Sequence, residues 1–242
     1  MSEIIFLKET SSTNDWLRNR CESLSDMTCV TAERQTAGRG RRGHSWETSD
    51  GMLAMSVLLK DPPDVSTLTA RVGLAVCDAV SELYSILSEK AGIKWPNDII
   101  IENHKVCGIL CESVKIGDCI NVICGIGVNV SQSEEYFRSV GLLNAASLKT
   151  LSGIELSEKK LCETILEKVS IRAKEMFREC YGEYKNRVIN IGREVRILHG
   201  DNERRATAVD IAQNGCLICE DESGRFEVSS GEVSIRGIEG YL

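Results

Sequence analysis

Residues 38 to 43 form a short loop whose residue types are suited to binding an anion, Gly-Arg-Gly-Arg-Arg-Gly. Its three arginines are Arg39, Arg41 and Arg42. A guanidinium group presents a planar fork of N–H donors that matches the oxygens of a phosphate or a carboxylate. Glycine has no Cβ, so the backbone around it can approach a ligand closely. The loop therefore predicts a site for a compact anion.

The same loop spells the Gly-x-Gly-x-x-Gly fingerprint of dinucleotide-binding proteins, but its surroundings do not fit that fold. The fingerprint requires a strand before the loop, a helix opening at its third glycine, and an acidic residue about 20 positions further on. Residues 29–32 can form the strand, but 47–51 resemble a turn and 52–59 are typical of another strand. A Walker A loop is excluded as well, since no Lys-Ser or Lys-Thr pair follows.

The overall charge bears on the kind of anion that is bound. The 242-residue chain has a formal net charge of −7, which opposes a polyanion at long range. The basic cluster of Arg34, Arg39, Arg41 and Arg42 is therefore expected to serve a small anion, and we expect no nucleic-acid partner. No apolar run approaches the ~18 residues needed to span a bilayer, so we expect no membrane partner either.

The cysteines indicate a reducing compartment. The chain contains 11 of them, an odd number, and residues 4–7 are too short an apolar run for a signal peptide. We therefore expect a cytoplasmic protein whose cysteines are reduced and mostly buried. Cys216 and Cys219 form a CxxC pair without a second pair or a nearby histidine, which favours the core over zinc. We expect no fixed metal site in the protein.

Helix and strand signals are mixed through the first 190 residues. Residues 13–24 are predicted to form a helix with Ser12 or Thr13 as its N-cap. Apolar residues at three- and four-residue steps predict one long helix over 65–87 and another that is marked over 161–188 and ends near 191–192. Strands are predicted at 4–7, 29–32, 52–59, 99–102, 106–114 and 120–130, with a tight turn at 103–105. The predicted fold class is α+β, with a sheet covered by helices on at least one face.

The pattern changes after residue 192. Short strands are predicted at 195–198, 206–211, 215–219, 225–228 and 233–235, separated by turn-forming residues such as Gly200-Asp201-Asn202. Such closely spaced strands are typical of a small β-barrel. We therefore predict two domains, residues 1–190 and residues 191–242, joined near 189–193.

Four motifs, in this order and spacing, resemble the biotin–protein ligase family. They are Ser12-Thr13-Asn14, residues 35–46, Lys94-Trp95-Pro96-Asn97-Asp98 followed by 105–110, and Gly125-Ile126-Gly127-Val128-Asn129. The resemblance continues to residues 231–236 and so covers nearly the whole chain. It is a resemblance to the short form of the family, without an N-terminal DNA-binding domain. It implies a class-II biotin/lipoate-ligase-like catalytic domain followed by an SH3-like β-barrel.

The resemblance implies a reaction in two steps. The carboxylate of biotin attacks the α-phosphate of ATP, supplied with Mg²⁺, giving biotinyl-5′-adenylate and pyrophosphate. A lysine of a biotin carboxyl carrier domain then attacks the mixed anhydride and releases AMP. Charge builds on the phosphoryl oxygens in the first step, so arginines and lysines are expected around them. The arginine loop would then bind the adenylate, and we expect it to be mobile in the free protein and ordered over its ligand.

The resemblance also assigns residues to biotin. Ser12, Thr13 and Asn14 would contact it, with Gln35 on its ureido ring, although a hydroxyl at position 12 or 13 also suits a helix N-cap. The implied biotin-binding set is Ser12, Thr13, Asn14, Gln35, Gly38, Arg39, Gly40, Arg41, Lys105, Gly108, Leu110, Gly125 and Gly127.

A second set is implied for the nucleotide and for catalysis. The implied nucleotide-binding residues are Arg39, Arg41, Arg42, Trp46, Asn97, Lys105 and Asn129, and the implied catalytic residues are Lys105, Arg41 and Asp98. Asp98 would lie near the incoming lysine amine or the metal, and Asn129 would face adenine. Without the motif, Lys105 would be a solvated turn residue, and Asn97 and Asp98 would be turn formers.

Three other functions are alternatives to biotin attachment. A lipoate or octanoate attachment enzyme shares the related catalytic fold, but the arginine loop and the small C-terminal domain argue against it. A biotin-sensing repressor would need a helix-turn-helix segment, and we expect none because the catalytic motifs begin at Ser12. A plain biotin-binding protein would have little use for Lys105 and the arginines together. The oligomeric state stays open, with a homodimer as one alternative, and so does the identity of the acceptor carboxylase.

Overall fold

The computed structural model describes residues 3–46, 48–231, 233–237 and 241. The first half of the chain is built on one sheet. The strands of this sheet are β1 Ile4–Thr10, β2 Cys29–Gln35, β3 Met52–Leu59, β4 Ala91–Lys94, β5 Asp98–Ile101, β6 His104–Ile116 and β7 Cys119–Asn129. They lie in the order β1-β2-β3-β7-β6-β5-β4. β1 and β2 are parallel, and every other neighbouring pair is antiparallel. The strands predicted in this region are confirmed, and β4 is an additional one.

A short helix, α1 Thr13–Arg18, provides the crossover between the parallel strands β1 and β2. It packs on one face of the sheet, where Leu17 joins a small cluster with Val30, Leu58 and Ile123. The helix is shorter than the predicted 13–24, because residues 19–24 form turns. Ser12 occupies the N-cap position as predicted, but its side chain accepts no capping hydrogen bond.

The opposite face of the sheet is covered by α2 Leu68–Leu83 and α5 Glu158–Arg172. The prediction of one helix over 161–188 is wrong, because the chain breaks after α5 and resumes as α6 Phe177–Arg187. The buried guanidinium of Arg71 donates to the carbonyls of Ala173 and Glu175 within this break, at 2.9 and 2.7 Å. An unbroken helix would use its carbonyls internally, so the break supplies the acceptors that a buried arginine requires.

The tight turn between β5 and β6 is also displaced from its predicted position. Glu102 and Asn103 make the turn, both with positive φ, of 49° and 68°. His104 and Lys105 already belong to β6. Lys105 is therefore held by a strand backbone and is not part of a solvated turn. After β7, two short helices follow, α3 Glu134–Ser139 and α4 Leu148–Ser152.

The C-terminal residues form a separate antiparallel sheet of five strands, in agreement with the prediction of five short strands. These are β8 Glu194–His199, β9 Asn202–Ile211, β10 Leu217–Asp221, β11 Gly224–Val228 and β12 Ser234–Gly237, in the order β11-β10-β9-β8-β12. The indole nitrogen of Trp95 donates to the carbonyl of Gly215 at 3.0 Å, which ties the small sheet to the segment between β4 and β5. Within the described residues, no helix is both long enough and apolar enough to cross a membrane.

Candidate active site

A row of small residues crosses three strands on the face of the large sheet that α1 covers. Ala54 of β3 lies opposite Gly127 of β7, and Gly127 lies opposite Gly108 of β6. Because side chains alternate along a strand, the neighbouring Cys107 and Val128 point to the other face and are buried in the main core. The row leaves a depression in the sheet, which forms the floor of a cavity of about 430 Å³.

The glycines of the floor are required by side chains that lie on it. A Cβ at Gly125 would come within 2.4 Å of Oδ1 of Asn14. A Cβ at Gly127 would come within 2.3 Å of the Trp46 ring, and one at Gly108 within 2.9 Å of it. Glycine in a strand is expected where another group approaches the backbone this closely. The predicted glycines of β6 and β7 thus lie together in the floor of the cavity.

One end of the cavity is lined by uncharged hydrogen-bonding groups from α1, β2 and β3. Oε1 of Gln35 accepts from the backbone N–H of Thr13 at 2.8 Å and from its hydroxyl at 3.1 Å. The Ser56 hydroxyl lies 2.7 Å from Oγ1 of Thr13 and 2.6 Å from Oδ1 of Asn14, and its single proton serves one of them at a time. The structure therefore brings Ser12, Thr13, Asn14 and Gln35 to the same end of the cavity.

Ser56 was missed in the sequence analysis, although a signal for it exists. It is the one polar residue of β3, Met-Leu-Ala-Met-Ser-Val-Leu-Leu, and it is fully buried. Buried hydroxyls need a hydrogen-bond partner, so a serine inside an apolar strand indicates a polar neighbour. The identity of that neighbour depends on α1 and could not be read from the strand.

The arginine loop is folded as a narrow hairpin over the cavity. The backbone N–H of Gly40 donates to the carbonyl of His44 at 2.7 Å, and that of Trp46 donates to the carbonyl of Gly38 at 2.9 Å. A Cβ at Gly38 would lie 2.2 Å from the Trp46 carbonyl oxygen, so the hairpin needs glycine there. The turn is made at Arg42, whose φ is 55°. Among the described residues, the loop contains a short 3₁₀ turn at Arg41–Gly43 and the next element is β3, which agrees with the rejection of the dinucleotide fingerprint.

The three loop arginines have different partners. Arg39 pairs with Asp15 at 2.7 Å. Arg41 donates to Oδ1 of Asn97 at 3.0 Å and also to the Ser230 carbonyl of the small sheet region. Arg42 is exposed and donates to the carbonyl of Leu198 at 3.3 Å.

Arg34 does not join the other arginines. Its guanidinium pairs with Glu9 at 3.0 Å, and its side chain is 70% exposed. It is not among the described residues that line the cavity. The expectation that four arginines serve one anion is therefore wrong for Arg34. Adjacent side chains of a strand point to opposite faces, and the adjacent Gln35 of β2 lines the cavity.

At the other end of the cavity, Lys105 and Asp98 form an ion pair with Nζ 2.8 Å from Oδ1. The two residues meet because β5 and β6 are paired there, with a register shift between Ile99 and Ile100. Nζ of Lys105 also lies 5.3 Å from the centre of the Trp46 ring. Asn97 is fixed beside this pair, since its amide nitrogen donates to the Ile109 carbonyl at 3.0 Å.

Tyr241 and Lys94 complete this end and were not predicted as site residues. The Tyr241 hydroxyl donates to Oδ2 of Asp98, and its ring lies 3.4 Å from Nζ of Lys94. Lys94 is 2% exposed. Burial lowers the pKa of Lys94 from the ordinary 10.5 to about 7. The negative charge of Asp98 raises this pKa in part, and the positive charge of Arg236 lowers it further.

The low pKa of Lys94 predicts a pH-dependent stability. Between pH 7 and 10.5 the unfolded chain binds a proton at this lysine that the folded protein does not, so stability rises with pH across that window. Lys94→Met removes this cost. We expect the variant to be more stable than the wild type at pH 7, by roughly 2–4 kcal/mol, and this gain to shrink towards pH 10.

Urea unfolding of both proteins at several values from pH 7 to 10 measures this effect. Lys115→Met, at an exposed position of β6, is the matched control and should change stability little at any pH. A gain from Lys94→Met that is the same at every pH would show that folding does not shift the pKa of this lysine.

The remaining predicted residues line the middle and far side of the cavity. Trp46 covers the glycine floor, and its indole N–H points to Sδ of Met52 at 3.1 Å. Asn129 donates from its amide to the carbonyl of Lys105 at 3.3 Å. An apolar wall from α3 and the following loop was missed by the sequence analysis, and it consists of Tyr136, Phe137, Val140, Leu142 and Ala145.

The fold and this cavity together define a class of protein: an α+β ligase-like domain of the predicted class-II type, followed by an SH3-like antiparallel sheet. The model described as "Biotin/lipoate A/B protein ligase family" matches residues 5–129, and that of the "Biotin protein ligase C terminal domain" matches residues 191–236. The chain belongs to the biotin/lipoate A/B protein ligase family. The predicted family and fold class are thereby confirmed.

Individual relatives agree with this assignment. The chain is 32% identical to a biotin–[acetyl-CoA-carboxylase] ligase of Mycobacterium tuberculosis, over 93% of this chain and 86% of that one. It is 28% identical to the bifunctional ligase/repressor BirA of Escherichia coli, over 98% of this chain and 75% of that one. The structure of a biotin protein ligase from Aquifex aeolicus in complex with biotin and ATP is similar, with a TM-score of 0.83 and 31% identity, covering 98% of this chain and 100% of that one.

Proposed function

We propose that this protein attaches biotin to a specific lysine of a biotin carboxyl carrier domain, using ATP and passing through biotinyl-5′-adenylate. One observation carries the proposal: a single cavity has uncharged hydrogen-bonding groups at one end and Lys105 with Arg41 at the other, above a glycine floor. The names of the relatives, a biotin–[acetyl-CoA-carboxylase] ligase and a biotin protein ligase with biotin and ATP, support it.

The uncharged end suits the ureido ring of biotin, which has both N–H donors and a carbonyl acceptor. Asn14 offers amide groups, and its Oδ1 retains a lone pair beside the Ser56 hydroxyl. Gln35 and Thr13 hold one another in place, so the polar groups are oriented before the ligand arrives. Gly108, Leu110, Gly125 and Gly127 would form the wall along the ligand, in keeping with their places around the floor.

The cationic end suits the adenylation step. An oxygen of the biotin carboxylate would form a bond to the α-phosphorus while the bond from that phosphorus to the pyrophosphate oxygen breaks. Lys105 would stabilise the negative charge that develops on the phosphoryl oxygens, and Arg41 would bind the same group. In this proposal Arg39, Arg42, Trp46, Asn97 and Asn129 complete the nucleotide site.

Asp98 is the one carboxylate among the described residues that line the cavity. We propose that it faces either the incoming lysine amine, whose positive charge it would stabilise, or the Mg²⁺ that accompanies ATP. A carboxylate oxygen is a ligand that Mg²⁺ accepts, usually together with phosphate oxygens of the substrate. The ion pair with Lys105 shows that this carboxylate can lie beside a cationic nitrogen.

The proposal extends to the organisation of the protein. We propose a catalytic domain over residues 1–190 and an SH3-like domain over 191–242, supported by the end of α6 at Arg187 and the start of β8 at Glu194. A cytoplasmic location is supported by the eleven cysteines, all within the described residues and all free thiols. That the protein has no nucleic-acid partner stays a prediction, and the oligomeric state stays open, with a homodimer as one alternative.

Exchange of labelled pyrophosphate into ATP tests the proposed function. The wild-type protein should catalyse exchange when biotin is added and should not do so with lipoate alone. Lipoate attachment by a related enzyme is the nearest alternative, and exchange that depends on lipoate and not on biotin would replace this proposal with that one. Biotin binding without any exchange would indicate a binding protein.

A further inference from the structure

Glu112 lies outside all four sequence motifs, yet its carboxylate contacts three residues from two elements of the site, α1 and the arginine loop. It belongs to β6, on the cavity face, two residues beyond Leu110. Nδ2 of Asn14 donates to Oε2 of Glu112 at 2.7 Å. Arg39 of the arginine loop lies 3.0 Å from the same oxygen, and Arg18 at the end of α1 lies 2.7 Å from Oε1.

These contacts give Arg39 a different role from Arg41. Arg39 is paired with two carboxylates, those of Asp15 and Glu112. The partners of Arg41 are an uncharged amide on Asn97 and a backbone carbonyl. The charge of Arg39 is therefore already balanced within the protein, while that of Arg41 faces no carboxylate at ion-pair distance among the described residues. Arg41 is the better placed of the two to receive an anion.

The surroundings of Glu112 favour its charged form. Burial alone would raise the pKa of its carboxyl group, but the hydrogen bond from Asn14 and the charges of Arg18 and Arg39 hold it below its ordinary value. A charge-assisted hydrogen bond to Asn14 and an ion pair to Arg39 can therefore exist together. The side chain is 21% exposed, so solvent weakens these contacts only in part.

We propose that Glu112 is a positioning residue that joins the ureido-binding Asn14 to Arg39 and so holds the arginine loop closed over the bound adenylate. This inference rests on the proposed function. The loop closes as a hairpin from Gly38 to Trp46, and Arg39 ties one side of that hairpin to β6 and α1. Asn14 fixes the Glu112 carboxylate at the end of the cavity proposed for the ureido ring. Through its ion pair with Arg39, this carboxylate would hold the arginine loop over the other end of the ligand.

Glu112→Gln tests the proposal because it keeps the size of the side chain and an oxygen that accepts from Asn14, while removing the charge. We expect preformed biotinyl-adenylate to dissociate about fivefold faster, the scale of one partly exposed charged contact. Equilibrium binding of biotin without ATP should change by less than about twofold. Arg18→Gln is the matched control, since it removes the other arginine on Glu112 without touching the loop, and it should leave the dissociation rate unchanged.

A double-mutant cycle separates a loop contact from a general loss of structure. Arg39→Gln should accelerate dissociation at least as much as Glu112→Gln, because it also removes the ion pair with Asp15. The double variant should be no faster than Arg39→Gln alone, since that substitution already removes the contact with Glu112. An unchanged dissociation rate in Glu112→Gln, an equal weakening of biotin binding, or additive effects in the double variant would each overturn the proposal.

Limited digestion with trypsin gives a readout that needs no catalysis. Cleavage after Arg41 and Arg42 requires the hairpin to open, so Glu112→Gln should be cut in the loop faster than the wild type and than Arg18→Gln, with or without ligand. If the wild type forms no adenylate, the proposed function fails, and this comparison still decides the role of Glu112. Equal loop cleavage in all three proteins would refute that role.

Discussion

Replacement of Lys105 by methionine is expected to slow the formation of biotinyl-adenylate by about 100-fold or more, the scale of losing one preorganised donor to a developing charge. Methionine keeps much of the side-chain volume but removes the ammonium group. Lys105 extends from β6 into the cavity beside Trp46 and Asp98. Binding of biotin should weaken far less, because the groups proposed for its ureido ring lie at the opposite end.

Single-turnover formation of the adenylate, with biotin binding measured separately, checks this expectation. Lys115→Met on the same strand is the control, since this exposed lysine lies outside the described lining of the cavity. The loss of Lys105 also leaves Asp98 without its ion-pair partner, so the thermal stability of each variant must be compared. Near-normal adenylation by a folded Lys105→Met protein would remove this residue from the catalytic set.

Replacement of Arg41 by alanine is expected to accelerate release of the adenylate more than it weakens binding of biotin alone. A lost charge-assisted contact of ~1.5–3 kcal/mol corresponds to roughly 10- to 150-fold in retention. Burial lowers the pKa of the Arg41 guanidinium, and the nearby carboxylate of Asp98 counteracts this. A partly desolvated arginine beside an uncharged amide gains more from a phosphate partner than a fully solvated one would.

Stopped-flow dissociation of preformed adenylate, compared with equilibrium biotin binding, measures the two effects of Arg41→Ala. Arg34→Ala serves as the control, since Arg34 is exposed and pairs with Glu9 away from the cavity. Equal losses of both ligands would mean that Arg41 is a general pocket residue. No loss of either would mean that the arginine loop is only a surface feature.

The expected opening and closing of the loop stays a prediction that these release rates will test. The structure shows one closed arrangement, in which Arg41 donates to the Ser230 carbonyl of the C-terminal region and Arg42 to that of Leu198. A bound phosphate would compete with these carbonyls for the arginines. The C-terminal sheet is thus a second support of the loop, which the motif did not indicate.

The sequence by itself determined the features that depend on neighbouring residues. Alternation and apolar runs located the strands of both sheets except β4, and helical periodicity located α2, because each signal comes from one continuous segment. The motifs were sufficient to identify the family and to collect the cavity residues from Ser12 to Asn129. The local backbone also explains why Gly38 must be glycine, since its partner is only eight positions away.

Tertiary structure alone decided which distant side chains meet. Arg71 and Ala173 are 102 positions apart, so helical periodicity could not show that the helix breaks near Ala173, where Arg71 binds its carbonyl. Asn14 and Glu112 are 98 positions apart, and Tyr241 reaches Asp98 across 143 positions. In each case a buried or partly buried polar group requires a partner, but the sequence shows only the requirement, while the packing of strands and loops selects the partner.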